Sequence, residues 1–394
     1  MIGFEIEISL PVTDAAGKKI PGDTKLAACP TRQPAGALGK PLFRVVSDSR
    51  SLPGFRGNYS NLEFVTKPWS VVGDGFTSGP LALTDTLQRI RAVRDALYTA
   101  GSVTLSHASG ALLTMLPAGQ GALLDPGNGY LEQAGTPGNG DGLFVHYSVG
   151  VPLGGMATFF DRLRSAAPAR EGQYLPEARH RLHQAHHFAE QAAEQFVPRG
   201  TADVGRSKDR DLSAQAKRRR QVLGYLQLLF MNVVAFADHA DEVEQKRPES
   251  NIKNRTVVLS RAPLADVHSR LDPMVQTYLR NNHEILTTLL ADDYQEAGLK
   301  DKRSFYETAV RKIDEDPVVL LDYTTAAFTG GTSIPQQDVF GGMRQIAPHA
   351  EEEAMMVPFE IRTFGKRMKS WAEVQTDLAD LSQWVQSSYE LGMA

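Results

Sequence analysis

Cysteine is almost missing from this chain: Cys29 is the one thiol among 394 residues. That excludes an internal disulfide framework and any zinc centre built from several cysteines, and it is compatible with a reducing compartment. An excess of charge of one sign is missing too. Forty-two Lys and Arg stand against 46 Asp and Glu, a net charge of −4, so there is no basic footprint for nucleic acid. No apolar run is long enough to span a bilayer. The longest, VLGYLQLLFMNVVAFA at 222–237, carries Gln227 and Asn232 and reads as a buried core helix. The KRRR cluster just before it, at 217–220, reads as a solvated first turn rather than a lipid or nucleic-acid patch. The start of the chain has neither the basic nor the apolar region of a signal peptide, and the expectation is a cytoplasmic protein with no membrane segment. The Gly- and Pro-dense stretch at 117–142 has no Lys-Ser/Thr ending of a P-loop and reads as a loop. There is no internal repeat and no low-complexity tail.

What is present is ordinary globular material, 42% hydrophobic and 22% charged, enough for one large domain or two medium ones. GFEIEISLPV, LFRVVSD, NLEFVTKPW, LFVHYSVGVPL and MMVPFEIRTFG read as strands, and the stretch at 14–41 as a Gly-, Pro- and Lys-rich excursion. Leu81, Leu83, Leu87, Ile90, Val93 and Leu97 recur at helical spacing, with Thr84 and Asp85 near the start and Gly101 at the end. SWAEVQTDLADLSQWVQSSYELG reads as a closing amphipathic helix, and VVLLDYTTAAF as a strand or short helix. The pattern predicts an α+β fold. Residues 1–155 supply the first part of a catalytic sheet, 156–314 a mostly helical insertion, and 315–394 the strands and helix that complete the same domain.

The strands share one design, in which charged residues alternate with apolar ones. In GFEIE, Phe4, Ile6 and Ile8 point one way while Glu5 and Glu7 point the other. Asp48 and Glu63 lie on or beside the next strands, His146 on another, and Glu360 and Arg362 share one face of the last. Taken singly these are edge charges, and His146 is a hydrogen-bonded core histidine. Together they make five carboxylates, one imidazole and one guanidinium on strands. That set suits a polyphosphate held by magnesium: hard cations take oxygen ligands, and an arginine neutralises charge on a transferred phosphoryl group. A metal would also relieve the repulsion between Glu5 and Glu7.

In their order along the chain, GFEIE, DSRSL, NLEFVTKP, GLFVH and FEIRTFGKRMKSWAEVQTDLADLSQWV resemble the motifs of the amidoligase family. These are carboxylate–amine ligases related to glutamine synthetase and γ-glutamylcysteine ligase. The likeness covers roughly residues 1–150 and 355–394. It implies a curved antiparallel half-barrel sheet of glutamine-synthetase type with a large helical insertion. It also implies an ATP- and Mg²⁺-dependent ligase that forms an amide through an acyl phosphate, with a small-molecule, peptide or protein carboxylate and amine as substrates. By the same resemblance, Glu5, Glu7, Asp48, Glu63, His146 and Glu360 fall at metal-ligand positions. Glu7, His146 and Arg362 fall at nucleotide-binding positions, and Glu5, Glu63 and Arg362 at catalytic ones. Two departures stand out: Phe144 replaces the first histidine of the family's H-V-H, and PGFRGNYS lengthens the gap between Asp48 and Glu63.

Other features carry rival readings. RHRLHQAHHFAE sets His180, His183 and His187 along one helix face with His186 beside them, a transition-metal arrangement or a polar helix surface. Glu351 to Glu353 form an acidic run before the last strand. Lys253, Arg255 and Arg261 offer phosphate or carboxylate contacts, or surface charge, and Asp322, Arg344 and Lys366 are further candidates. Two alternatives to a ligase keep the same fold: a phosphotransferase acting on a guanidino or other small group, or a non-catalytic binding or assembly protein, the latter favoured by Phe144.

Overall fold

The computed structural model describes residues 1–30, 41–48, 59–125, 142–166, 186–187, 189–194, 214–229, 231, 258–283, 285–286, 346–351, 354–362 and 369–393. Among the described residues it is a mixed α+β structure, with ten strands in a large antiparallel sheet that does not close. The strands are β1 (Ile2–Thr13), β2 (Thr24–Ala28), β3 (Phe43–Asp48), β4 (Ser60–Thr66), β5 (Thr114–Met115), β6 (Leu123–Leu124), β7 (Phe144–Pro152), β8 (Val258–Ser260), β9 (His349–Glu351) and β10 (Ala354–Arg362). The chain divides into two compact units. The first is Met1–Ser148 with Lys366–Gln383, and the second is Val149–Gly365 with Trp384–Ala394.

In the first unit the strand order is β5-β2-β3-β4-β1-β7, with β6 on the end of β1. The period-2 pattern explains why these segments are strands and which way they face. Phe4, Ile6 and Ile8 of β1, Phe43 and Val45 of β3, and Leu62 and Phe64 of β4 are buried on one face. Phe43 and Phe64 meet edge to face, with centroids 5.6 Å apart. The helix Gly75–Thr99 buries Leu83, Leu87, Ile90, Val93 and Leu97, as their spacing predicts. It begins earlier than Thr84 and Asp85 suggest, after Asp74, because its first turns run against the backbone at Ser70. A Cβ at Gly79 would lie 1.8 Å from the Ser70 carbonyl oxygen, so only glycine fits there.

The excursion at 14–41 is a correction: it contains β2, paired antiparallel with β3 through a bulge between Lys25 and Ala27. A five-residue strand interrupted by a bulge shows no clean alternation for a sequence reading to catch.

The closing helix, Trp371–Met393, opens with a capping box. The Glu373 backbone N–H donates to Ser370 Oγ at 3.3 Å, and the Ser370 N–H donates to Glu373 Oε2 at 2.8 Å. Beneath its first turns Asp377 is 1% exposed. Its Oδ2 accepts from the Tyr147 hydroxyl at 2.7 Å and meets Lys369 Nζ at 2.6 Å. Lys369 is fixed by paired backbone hydrogen bonds with Leu143, so this buried ionic knot ties the helix to the start of β7.

In the second unit β10 pairs with β8 and β9, all antiparallel. Its apolar face meets aromatic partners: Phe359 packs edge to face on Phe160 of the helix Met156–Ala166, at 5.2 Å. Phe159 meets Trp384 at 6.5 Å in the same manner. The first half of the long apolar run is helical, continuous with KRRR in a helix over 214–229, and Tyr225, Leu226, Leu228 and Leu229 are buried. Gly224 lets this helix approach the Leu153 carbonyl oxygen, which a Cβ would meet at 2.0 Å. Asp272 caps the helix Pro273–Asn281 through the Met274 N–H and accepts from Arg218 Nε at 3.1 Å. One member of KRRR is therefore structural. No helix among the described residues is long and apolar enough to cross a membrane.

Candidate functional site

The face of the first unit opposite its core carries four acids together with Arg44, across from Val65, and Lys25, across from Val46. Pairing of β1 with β4 sets Glu7 directly across from Glu63 and Glu5 across from Val65, with Ile6 and Phe64 turned to the core. Pairing of β3 with β4 sets Val46 across from Glu63 and Asp48 across from Asn61. Residues opposite each other share a face, so Glu5, Glu7, Glu63 and Asp48 all lie on this one. Like charges opposite one another are destabilising. Burial first, then the carboxylates of Glu5, Glu7, Asp48 and Asp23, push Glu63 well above the usual carboxylate range.

Four of the sequence-predicted residues, Glu5, Glu7, Asp48 and Glu63, are thus brought together by this sheet. His146 is half-buried on β7, alternating with buried Val145 and Tyr147. Phe144, two positions earlier, lies on the same side of that strand as His146.

A linked stability effect follows from Glu63. A carboxyl raised in the folded state stabilises the fold below its unfolded value and loses that contribution as pH rises through the folded value. Glu63→Gln is expected to flatten the loss of stability as pH rises above about 4. It should also raise the neutral-pH denaturation midpoint in urea. An unchanged pH profile in the variant would contradict the clustering of these acids.

The second unit holds Glu360 and Arg362 on β10. Glu360 is 2% exposed, and each of its carboxylate oxygens is taken by a guanidinium: Oε2 by Arg261 Nη1 and Oε1 by Arg362 Nε. Arg261 follows β8, its N–H donating to the Pro358 carbonyl at 2.9 Å, which sets it diagonally across from Glu360. Two guanidiniums share this one carboxylate, and both are mostly buried. Glu360, a metal-ligand position by resemblance, here holds two arginines.

His187 bonds Gln191 at 2.9 Å and His186 meets Glu190 at 3.2 Å, both ordinary one-turn helix contacts. His180, His183, Lys253, Arg255, Asp322, Arg344, Lys366, Glu352 and Glu353 lie outside the described residues, as does the segment 318–328. Among the described residues no group of three or more His, Cys, Asp and Glu side chains is arranged around a single metal position. Cys29 is buried, and burial pushes its thiol up, so it has little thiolate character.

Three features escaped the sequence reading. Arg261 stood out from Lys253 and Arg255 only by following an apolar run, and its place beside Glu360 came from the pairing of β8 with β10. Lys369 and Asp377 were given no role, since their pairing depends on burial. Asn61, 2% exposed with neither side-chain polar atom partnered among the described residues, carried no signal beyond its place two residues before Glu63. No protein-family model, curated protein or solved structure matches the chain.

Proposed function

We propose that this chain is an ATP- and Mg²⁺-dependent carboxylate–amine ligase that forms an amide through an acyl phosphate. The observation that carries the reading is the acidic face of β1, β3 and β4, with Glu63 driven above its ordinary range by burial first and then by its acidic neighbours. Such a face gains stability from a bound cation, and its carboxylate oxygens are the donor type that hard divalent ions take. Mg²⁺ keeps several waters and is usually held by one or two carboxylates together with substrate phosphates. Glu5, Glu7 and Glu63 fit that mode without forming an all-protein cage. Asp48 and His146 remain candidates for the same role by resemblance. When bound, the ion would shield the phosphate oxygens and so favour attack on phosphorus.

The protein's own residues have separable tasks. Arg362, oriented by Glu360, has the fork geometry to stabilise charge on a transferred phosphoryl group, and Arg261 supports it from β8. An amine is protonated at neutral pH and must lose a proton before it attacks an acyl phosphate. The carboxylates of the acidic face are the groups to accept it. The half-barrel curvature of glutamine-synthetase-like ligases belongs to this proposal as well, since an open antiparallel sheet with one charged face is compatible with it.

The test is chemical. With ATP, Mg²⁺ and a panel of carboxylates, the chain should release inorganic phosphate, and added hydroxylamine should trap the acyl phosphate as a hydroxamate. Glu5→Gln is expected to lower phosphate release by about a hundredfold or more, on the scale of losing an electrostatic or acid–base group. Phosphate appearing on the acceptor instead of in solution would convert the reading to a kinase. Undisturbed turnover in Glu5→Gln would remove the acidic face from the chemistry.

A further inference from the structure

We propose that Glu360 is a positioning residue rather than a metal ligand, and that Arg261 acts through it. Arg261 braces the carboxylate with the tip of its side chain, and the carboxylate in turn orients the guanidinium of Arg362. The consequence for turnover rests on the ligase reading above, whereas the placement of these three side chains does not.

Both oxygens of Glu360 are engaged. The residue is 2% exposed, and Oε2 accepts from Arg261 Nη1 while Oε1 accepts from Arg362 Nε. Resemblance puts a metal ion on this carboxylate. A divalent ion bonded to either oxygen would stand beside two guanidiniums, and a buried setting screens repulsion between like charges poorly. The residues around Glu360 therefore do not fit an ion there. The carboxylates of the first unit are untouched by this conclusion.

The two arginines are not equivalent. Arg362 lies two residues along β10 from Glu360, on the same face, and bonds it through Nε, the nitrogen nearest the main chain. That bond fixes the guanidinium plane at its stem. The edge formed by the two terminal nitrogens faces along the side-chain axis instead of at Glu360. Arg261 does the reverse and meets Glu360 with a terminal nitrogen. Its backbone is pinned on both sides. The N–H donates to the Pro358 carbonyl at 2.9 Å, and its own carbonyl accepts from the Ile346 N–H at 2.8 Å. Pro358 is two residues before Glu360, so Arg261 projects from the neighbouring strand on the face that Glu360 occupies.

This asymmetry predicts something that burial of three charges alone does not. A single donor at a side-chain tip can be supplied by a lysine ammonium, whereas an Nε bond combined with a terminal fork cannot. Lysine should therefore substitute for Arg261 but not for Arg362.

The test uses the full chain labelled with ¹⁵N, and the Arg362 Nε–H signal is assigned by its disappearance in Arg362→Lys. Its exchange with solvent is expected to be about tenfold faster or more in Arg261→Met, and within about threefold of the parent in Arg261→Lys. The backbone amides of Phe359 and Ile361 report on the strand itself and should be unchanged in both. Exchange indifferent to Arg261→Met, or equally fast in the lysine and methionine variants, overturns the proposal. Mn²⁺ binding, followed by water proton relaxation, tests the metal half. Half-saturation in Glu360→Gln should lie within about twofold of the parent, whereas weakening by about tenfold or more is the mark of a ligand and overturns the assignment. ATP turnover separates this proposal from the ligase reading. Arg261→Met should lower kcat by about tenfold or more with the KM for ATP little changed, and Arg261→Lys should recover most of that loss. The expected exchange pattern in a chain that turns over no ATP supports this assignment and removes the ligase. Turnover in a chain whose Arg362 exchange ignores Arg261 overturns this assignment alone.

Discussion

Replacing Asp377 with alanine is expected to lower the stability of the first unit by about 3–5 kcal/mol, the cost of stripping one partner from a buried ion pair. Asp377 is 1% exposed and Lys369 4%, so neither charge has water to fall back on. The substitution leaves the Lys369 ammonium buried without its carboxylate at 2.6 Å, and the fully buried Tyr147 hydroxyl without its acceptor at 2.7 Å. The same physics predicts a rescue. A triple variant, Asp377→Leu with Lys369→Met and Tyr147→Phe, should recover most of the loss, because an apolar replacement of similar volume removes the desolvation cost along with the attraction. Urea denaturation followed by tryptophan fluorescence reads both changes, since Trp371 and Trp384 lie on the same helix as Asp377. A midpoint unmoved by Asp377→Ala would mean that the knot does not anchor the helix.

Arg362 should show the largest effect on activity. Arg362→Met is expected to reduce ATP turnover by about 10³-fold or more, the scale on which arginines stabilise phosphoryl transfer. A structural role alone predicts a different pattern, so the lysine variant is informative. Arg362→Lys keeps a positive charge beside Glu360 and should preserve much of the folding stability, but it lacks the two-pronged donor geometry. The expectation is near-native unfolding with turnover still depressed by at least a hundredfold. If lysine restored turnover fully, a point charge would suffice and the fork would be irrelevant. If both variants turned over ATP normally, the arginine would serve only to balance Glu360.

Much of the fold was legible because alternation is a local property. Ile2–Thr13, Phe43–Asp48, Ser60–Thr66, Phe144–Pro152 and Ala354–Arg362 all carry a two-residue rhythm, and each is a strand within about three residues of its predicted place. The closing helix was legible for the same reason at a different period, aided by the Ser-x-x-Glu start that proves to be a capping box. β2 was not legible, because a bulge disrupts its rhythm. The first turns of the helix Gly75–Thr99 were not legible, because they precede the apolar repeat and depend on Gly79 passing against Ser70.

The candidate site divides along the same line. That Glu5 and Glu7 share a face is written in the two-residue repeat of β1. That Glu63 stands opposite Glu7, and Asp48 beside them, is a matter of strand pairing. The partner of Glu360 lies 99 residues away at Arg261, and no rule of spacing links them. Asn61 is one more polar residue in a strand until its burial and its missing partners are seen.

By itself, the sequence determined which segments alternate, which of their faces are charged, and the absence of any disulfide framework. Those properties follow from side-chain direction and composition, which are fixed residue by residue. The tertiary structure alone decided which charges confront one another, which are neutralised by arginine or lysine, and which buried amide is left with nothing to bond. Register and burial depend on contacts between distant parts of the chain, and the energy of a charge is set by its surroundings rather than by its neighbours in sequence.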